Sequence, residues 1–233
     1  MEKYDIVYIL KNDVNPDEIR YSLRSVCKNF PYRKIWFFGG KPEGIEPDKY
    51  VSVDQRGVEV WRKVTNTLEI VCGTRGVSSN FWLFNDDFFV MQPLEEMPPV
   101  YNGTLLERIT ELRSRREGAQ SLYSIRLMRA EAHLLEAGYT TLNYAVHVPM
   151  LINKKKALET IRTFPRCAMF RSLYGNMWKV GGVDQKDVKI FSADVEPKED
   201  CVLLSTSDTS FREGLVGEFI RSRFPEPCKY EKG

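Results

Sequence analysis

Apolar and polar positions alternate in blocks along this chain, and block length separates strands from helices. Residues 6–10 (IVYIL) form a short apolar run suited to a buried strand. Behind it, Asn15, Pro16 and Glu18 supply an N-cap, a proline at the first helical position and a glutamate at the third. A helix is therefore expected from Pro16, with Ile19, Leu23, Val26, Cys27 and Phe30 along one stripe and Arg20 and Arg24 on its flank. Residues 34–38 (KIWFF), closed by Gly39 and Gly40, and residues 50–53 read as two more strands. The spacing of Trp61, Val64, Leu68 and Val71 predicts a helix over 58–72 that stops at Gly73. The stretch FWLFNDDFFV, residues 81–90, follows as a further strand.

The second half is more mixed. Helices are expected over 105–117 and 122–136, the latter ending at Gly138, and over 155–163. Residues 143–152 look extended, with Pro149 marking an edge or the end of pairing. Short strands are expected at 188–190 and 202–204, and Ser210 with Glu213 forms a capping box opening a last helix to about Phe224. Residues 170–176 and 182–188 read as polar, glycine-bearing loops. Strands alternating with helices predict one α/β domain over 1–233 with a mixed, mainly parallel central sheet flanked by helices. There is no internal repeat and no low-complexity segment.

Composition narrows the function classes. With 233 residues, 42% of them hydrophobic, the chain can bury a sizeable core. Lys+Arg 34 against Asp+Glu 32 leaves +2, so no global field recruits nucleic acid or anionic lipid. The local basic clusters at 113–116, 154–156 and 221–223 read as solvated helix faces. Five widely spaced cysteines without a C-x-x-C pair argue against a disulfide framework or a zinc ribbon, and for a reducing compartment. The first residues lack a signal-peptide layout and no apolar run is long enough to span a bilayer, so a soluble, cytoplasmic protein without membrane insertion is expected.

The candidate chemistry gathers around Asn85, Asp86 and Asp87. In open α/β sheets the ligand crevice lies beyond the carboxyl ends of the strands. If residues 81–84 are an interior strand, these three sit at that edge, where partly desolvated carboxylates need a cation such as Mg²⁺ or Mn²⁺. The same residues between two apolar runs equally suit a tight hairpin turn with its carboxylates in water. His147, in the extended segment before Pro149, could ligate a metal, act as a base or donate within the sheet, whereas His133 suits a packing or surface role. Arg171 could clamp a phosphate, and Asp184 or Asp187 could serve as base or ligand. No Gly-rich phosphate loop, nucleophile elbow or kinase signature is present.

Three blocks, YSLRSV (21–26), NDDFFV (85–90) and HVPMLINK (147–154), in that order, resemble those of the Stealth proteins. That group contains the sugar-1-phosphate transferases of capsule synthesis and the lysosomal-targeting N-acetylglucosamine phosphotransferase. RSLYGN (171–176) and FPEPCKYE (224–231) look closer still to compact phage-encoded glycosyltransferases, some implicated in hypermodifying DNA bases. Both resemblances imply a GT-A-like nucleotide-diphospho-sugar transferase, with a nucleotide-sugar-binding half over 1–95 and an acceptor and catalytic half over 96–233. They imply that Asp86 and Asp87 hold Mn²⁺ or Mg²⁺ on the diphosphate of a donor, most simply a UDP-sugar, and that His147 is a further ligand or the catalytic base. Donor contacts would come from Asn12, Asp13, Arg24, Lys63, Asn66, Asn85 and Arg171. Where Stealth proteins carry a Trp-Val-Asp-Gly-like turn after the first strand, this chain has LKND.

The implied activity is sugar transfer to a hydroxyl acceptor, with a hydroxymethylated base in phage DNA as one acceptor. Inversion at the sugar needs a carboxylate base, Asp184 first and Asp208 second. The alternatives are Stealth-type transfer of the sugar with its phosphate from a UDP-sugar, and a non-catalytic nucleic-acid or protein-binding module on the same fold.

Overall fold

The structure is a computed structural model describing residues 3–14, 16–55, 60–115 and 121–232, without the side chains of Val60, Trp61 and Arg115. The expected N-cap Asn15, residues 58 and 59 of the second expected helix, the side chain of Trp61 on its stripe, and residues 116 and 117 of the third all lie outside that description. The first part of the chain runs β1 (Asp5–Leu10), α1 (Pro16–Asn29), β2 (Ile35–Gly39), β3 (Lys49–Ser52), α2 (Val60–Gly73), β4 (Asn80–Phe84) and β5 (Phe88–Val90). It continues through β6 (Val100–Tyr101), α3 (Leu105–Arg115), α4 (Leu122–Glu136), β7 (Met150–Asn153), α5 (Lys154–Thr163) and α6 (Phe170–Met177). The last elements are β8 (Val183–Asp184), β9 (Lys189–Ile190), β10 (Leu203–Thr206), α7 (Asp208–Glu213) and α8 (Leu215–Arg223).

The main sheet has the order β3-β2-β1-β4-β7. The first four strands are parallel and β7 closes one edge antiparallel to β4. Continuous apolar runs are what a sheet covered on both faces requires, because alternate side chains enter different cores. Ile6, Tyr8 and Leu10 pack with Ile19, Leu23 and Val26 of α1 on one side. Val7, Phe38, Phe81 and Leu83 pack with Leu68 and Val71 of α2 and Ala157 of α5 on the other. Gly39 and Gly40 end β2 because a Cβ at either would meet the backbone carbonyl of Leu10 or Lys11, and Gly39 also has φ 106°.

The order reverses at β1: the chain first builds outward through β2 and β3, then returns to place β4 on the other flank. That switch point opens a crevice between the carboxyl ends of β1 and β4. Beyond it lies a smaller sheet, β5-β10-β9, and β6 pairs with β8. β4 and β5 are separated by only Asn85, Asp86 and Asp87 yet belong to different sheets, so these residues carry the chain across a sheet junction and do not form a hairpin.

The single strand expected over 81–90 is thus two, the loop expected over 182–188 contains β8, and other expectations are corrected as well. Residues 170–176 are helical, not a loop: Phe170, Leu173 and Tyr174 share a buried face, and Gly175 is there because a Cβ would enter the Tyr144 ring. Residues 143–149 are not strand; pairing starts at Met150. The final helix is split at Gly214, and its capping box is Ser207 with Ser210 in place of Ser210 with Glu213. Among the described residues no helix is long and apolar enough to cross a membrane, and all five cysteines are free.

Candidate active site

β4 delivers Asn85, Asp86 and Asp87 to the crevice because its last buried residue is Phe84 and β5 resumes at Phe88 in another sheet. The turn is closed by the Phe88 N–H donating to the Asn85 carbonyl at 3.3 Å. Burial, and then the neighbouring Asp87 charge, push the Asp86 carboxyl up to about 6, while Lys11 at the end of β1 pulls it back. Asp87 is more deeply set, at 9% exposure. Its Oδ2 accepts from Lys189 Nζ at 2.8 Å and from Ser205 Oγ at 3.1 Å, both on the smaller sheet. Its Oδ1 is buried without a hydrogen-bond partner among the described residues.

A further carboxylate belongs to this group. Glu18, in the first turn of α1, is 5% exposed and accepts from Thr206 Oγ1 at 3.1 Å. Burial, followed by the Asp86 charge, raises its carboxyl to about 7, with Asp87 and Asp208 adding to the rise. Glu18, Asp86, Asp87 and Asp208 therefore share one electrostatic neighbourhood, built from α1, the β4–β5 junction and the start of α7. From the sequence Glu18 reads as a capping residue; the missed signal is its place on the helix that follows β1, at the switch point.

His147 faces a different carboxylate from the one expected. Its Nδ1 lies 2.7 Å from Asp187 Oδ2, and its backbone N–H donates to Asp187 Oδ1 at 3.0 Å. Burial acts to raise the Asp187 carboxyl, but the hydrogen bonds from the His147 ring and backbone and from the Lys189 backbone outweigh it and hold it below the usual carboxylate range. An ionised Asp187 accepts, so the proton sits on Nδ1 and Nε2 is the nitrogen that can take another. Asp184 is not this partner: it is exposed, and its Oδ1 accepts from the Gly103 N–H at 2.9 Å, which fastens β8 beside the turn after β6.

Arg171 and Lys189 tie the two halves of the site together. The Arg171 Nη1 donates to the carbonyls of Val146 and Val148, fixing the segment that carries His147. Its Nη2 is buried and without a partner among the described residues. Desolvation lowers the guanidinium to about 10, opposed by the charges of Asp87 and Asp187. Lys189 reaches Asp87 through its side chain while its backbone N–H donates to Asp187 at 3.3 Å. In the sequence the signal for Lys189 is a lysine inside a short apolar strand.

The remaining candidates fall unevenly. Asn12 and Asp13 form an exposed turn after β1, beside Gly40 at the same sheet edge. A cavity of about 300 Å³ opens next to Asn85, lined by Ile9, Leu83, Tyr123, Arg126 and Arg171, with Val64 of α2 facing it. Lys63 is half-buried near the start of α2, and Asn66 is exposed on the side of α2 that faces Arg162 and Arg166. Arg24 is not at the crevice. Its Nε and Nη2 grip Glu231 at 2.7 Å each, and Nη1 donates to the carbonyls of Phe224 and Pro225 at 2.9 Å, so all its nitrogens hold the C-terminal segment against α1.

Among the described residues no three His, Cys, Asp or Glu side chains converge to hold an ion by themselves. The expected ligand set of Asp86, Asp87 and His147 is thus not assembled, since the His147 ring is held against Asp187. Asp86 and Asp87 alone do fit a hard cation whose other ligands are donor oxygens: one carboxyl is raised by burial and then by the charge of the other, which keeps a buried oxygen unpartnered among the described residues.

No protein-family model and no curated protein matches this chain. Among solved structures it is similar to an active-site mutant of LgtC, at TM-score 0.45 and 11% identity, with 97% of this chain and 98% of that one covered. It is also similar to the glycosyltransferase GlyE of Streptococcus pneumoniae TIGR4, at TM-score 0.39 and 11% identity over 97% of this chain and 50% of that one. The apo form of GlyE gives TM-score 0.37 and 10% identity over 79% of this chain and 45% of that one, so the chain spans about half the length of GlyE.

Proposed function

We propose that this chain is a GT-A-type glycosyltransferase that moves a sugar from a nucleotide-diphosphate sugar, a UDP-sugar in the first instance, to a hydroxyl acceptor with the help of Mn²⁺ or Mg²⁺. The observation that carries the reading is the position of Asp86 and Asp87 at the switch point, among further carboxylates and facing Lys189 and Arg171. Carboxylates crowded in this way, with Asp87 and Glu18 buried, favour a cation between them. Asp86 and Asp87 would hold it, and when bound it would neutralise charge developing on the leaving diphosphate. Arg171 offers a phosphate oxygen an Nη2 without a partner among the described residues, and the cavity beside Asn85 offers an apolar wall for part of the donor. His147, oriented by Asp187, takes the proton of the acceptor hydroxyl.

The His147–Asp187 pair also favours a second reading, transfer of the sugar with its phosphate, because a histidine base suits attack of a hydroxyl on phosphorus. The acceptor is a small hydroxyl compound in preference to DNA. Lys154 donates to the Thr74 carbonyl, Lys156 covers Trp178, Arg221 donates to the Phe211 carbonyl and Arg223 pairs with Glu199, so these basic residues are drawn into local contacts on separate helices. The test is incubation with a panel of UDP-sugars and Mn²⁺ or Mg²⁺, followed by nucleotide analysis. UDP release identifies glycosyl transfer, UMP release identifies sugar-phosphate transfer, and the Asp86→Asn, Asp87→Asn double variant should release neither. If no donor binds or turns over with either metal, both readings fail.

A further inference from the structure

Lys189 has no place in the chemistry described so far except as a neighbour. It stands opposite Ser205 in the β9–β10 pairing, and both side chains converge on Asp87 Oδ2. The ion pair is enclosed, with the two side chains 15% and 13% exposed. A pair this sheltered is screened little by salt, and the ammonium is the closest positive charge that Asp87 has. The same ammonium lies 5.5 Å from the centroid of the Phe191 ring, so an aromatic face stands beside the charge.

We propose that Lys189 is the resting counter-ion of Asp87, which a divalent cation must displace, and that the freed ammonium then binds the diphosphate of the nucleotide sugar. The inference rests on the cation reading of Asp86 and Asp87 given above. Its physical basis is charge balance. The ammonium held by Asp87, with Lys11 and Arg171 acting from further off, offsets part of the negative charge of Glu18, Asp86, Asp87 and Asp208, and Asp87 Oδ1 has no donor among the described residues. A divalent ion on the same carboxylates supplies twice the charge of the lysine, and two cations of like sign cannot share Asp87 at hydrogen-bond distance without repulsion. The lysine stem is flexible enough to swing, whereas the carboxylates are set by strand ends. The nearest new anion is the diphosphate, so the lysine gates the metal site in the free protein and contributes to donor binding in the complex.

The inference separates metal affinity from donor affinity. Mn²⁺ binding in the absence of nucleotide is measured by the loss of the free-ion electron paramagnetic resonance signal, for the wild-type chain, Lys189→Met and Lys189→Arg. Lys189→Met should bind Mn²⁺ about tenfold more tightly than wild type, since a competing charge-assisted hydrogen bond is gone. Lys189→Arg, which keeps a cation, should stay near the wild-type affinity and serves as the control for folding. With Mn²⁺ saturating, UDP should bind Lys189→Met about tenfold more weakly than wild type. Unchanged or weaker Mn²⁺ binding by Lys189→Met overturns the inference while leaving the metal-dependent reading in place. If neither wild type nor Lys189→Met binds Mn²⁺, with or without UDP, the cation reading itself is lost.

Discussion

Replacing Glu18 by glutamine should stabilise the fold at neutral pH, by an amount that depends on pH in a defined way. Glu18 is 5% exposed, accepts one hydrogen bond from Thr206 Oγ1, and faces the charges of Asp86, Asp87 and Asp208. Its carboxyl is raised from the ordinary 4.5 to about 7. A folded-state value above the unfolded one means that the stability this group contributes is fully present below pH 4.5 and is lost as pH rises through about 7. At about 1.4 kcal/mol per pH unit, the gap corresponds to roughly 3 kcal/mol as an upper bound, because relaxation of the neighbouring carboxylates absorbs part of it. Glutamine keeps the acceptor for Thr206 and never ionises. The difference between Glu18→Gln and wild type should therefore open between pH 4.5 and about 7 and stay flat above. In a chain of this size it should reach roughly 5–10 °C in Tm. The assay is thermal unfolding followed by circular dichroism from pH 4 to 9, with chelator present so that no cation neutralises the cluster. A difference that does not vary with pH, or a variant less stable than wild type at pH 8, refutes the electrostatic account of Glu18.

Two further outcomes follow from the geometry. Asp187→Asn removes the carboxylate that sets the His147 tautomer and should lower kcat by about 10²- to 10⁴-fold with little change in donor KM, as read from nucleotide release. Arg24→Ala removes the bidentate partner of Glu231, in a pair whose side chains are 10% and 9% exposed, but leaves Arg20 at 3.2 Å and the Cys228 N–H on the same carboxylate, so it should cost about 1.5–3 kcal/mol in urea unfolding. Because Arg24 holds the C-terminal segment against α1 and is not at the crevice, donor KM should be unaffected; a raised KM at unchanged stability would restore it to the donor site.

Much of the architecture follows from local pattern. The apolar runs of β1, β2 and β4, the proline start of α1 and the glycine stop of α2 are short-range features, and each element forms close to its expected place. Local pattern failed where a residue type served long-range packing. Gly175 suggests a loop, but it is a helical residue made small by Tyr144. The family resemblance implies a donor contact for Arg24, but its acceptors lie about 200 positions downstream, with Glu231 at a separation of 207. Asp184 and Asp187 are indistinguishable as letters in a glycine-bearing loop, and only pairing of β8 with β6 turns one towards Gly103 and leaves the other for His147.

The sequence by itself determined the α/β alternation, the mainly parallel sheet and the pair of carboxylates ending an apolar strand, because strand and helix periods and the cost of desolvating charge are local properties. It left open whether Asn85, Asp86 and Asp87 made a hairpin or a sheet edge. The tertiary fold settled that by sending β4 and β5 into different sheets. The fold also chose the partners: Lys189 reaches Asp87 across 102 positions, Thr206 reaches Glu18 across 188, and Asp187 reaches His147 across 40. Charge acts through space while sequence orders residues along a chain, so the carboxylates could be read from the letters, but the groups that set their ionisation emerged only once the strands were in register.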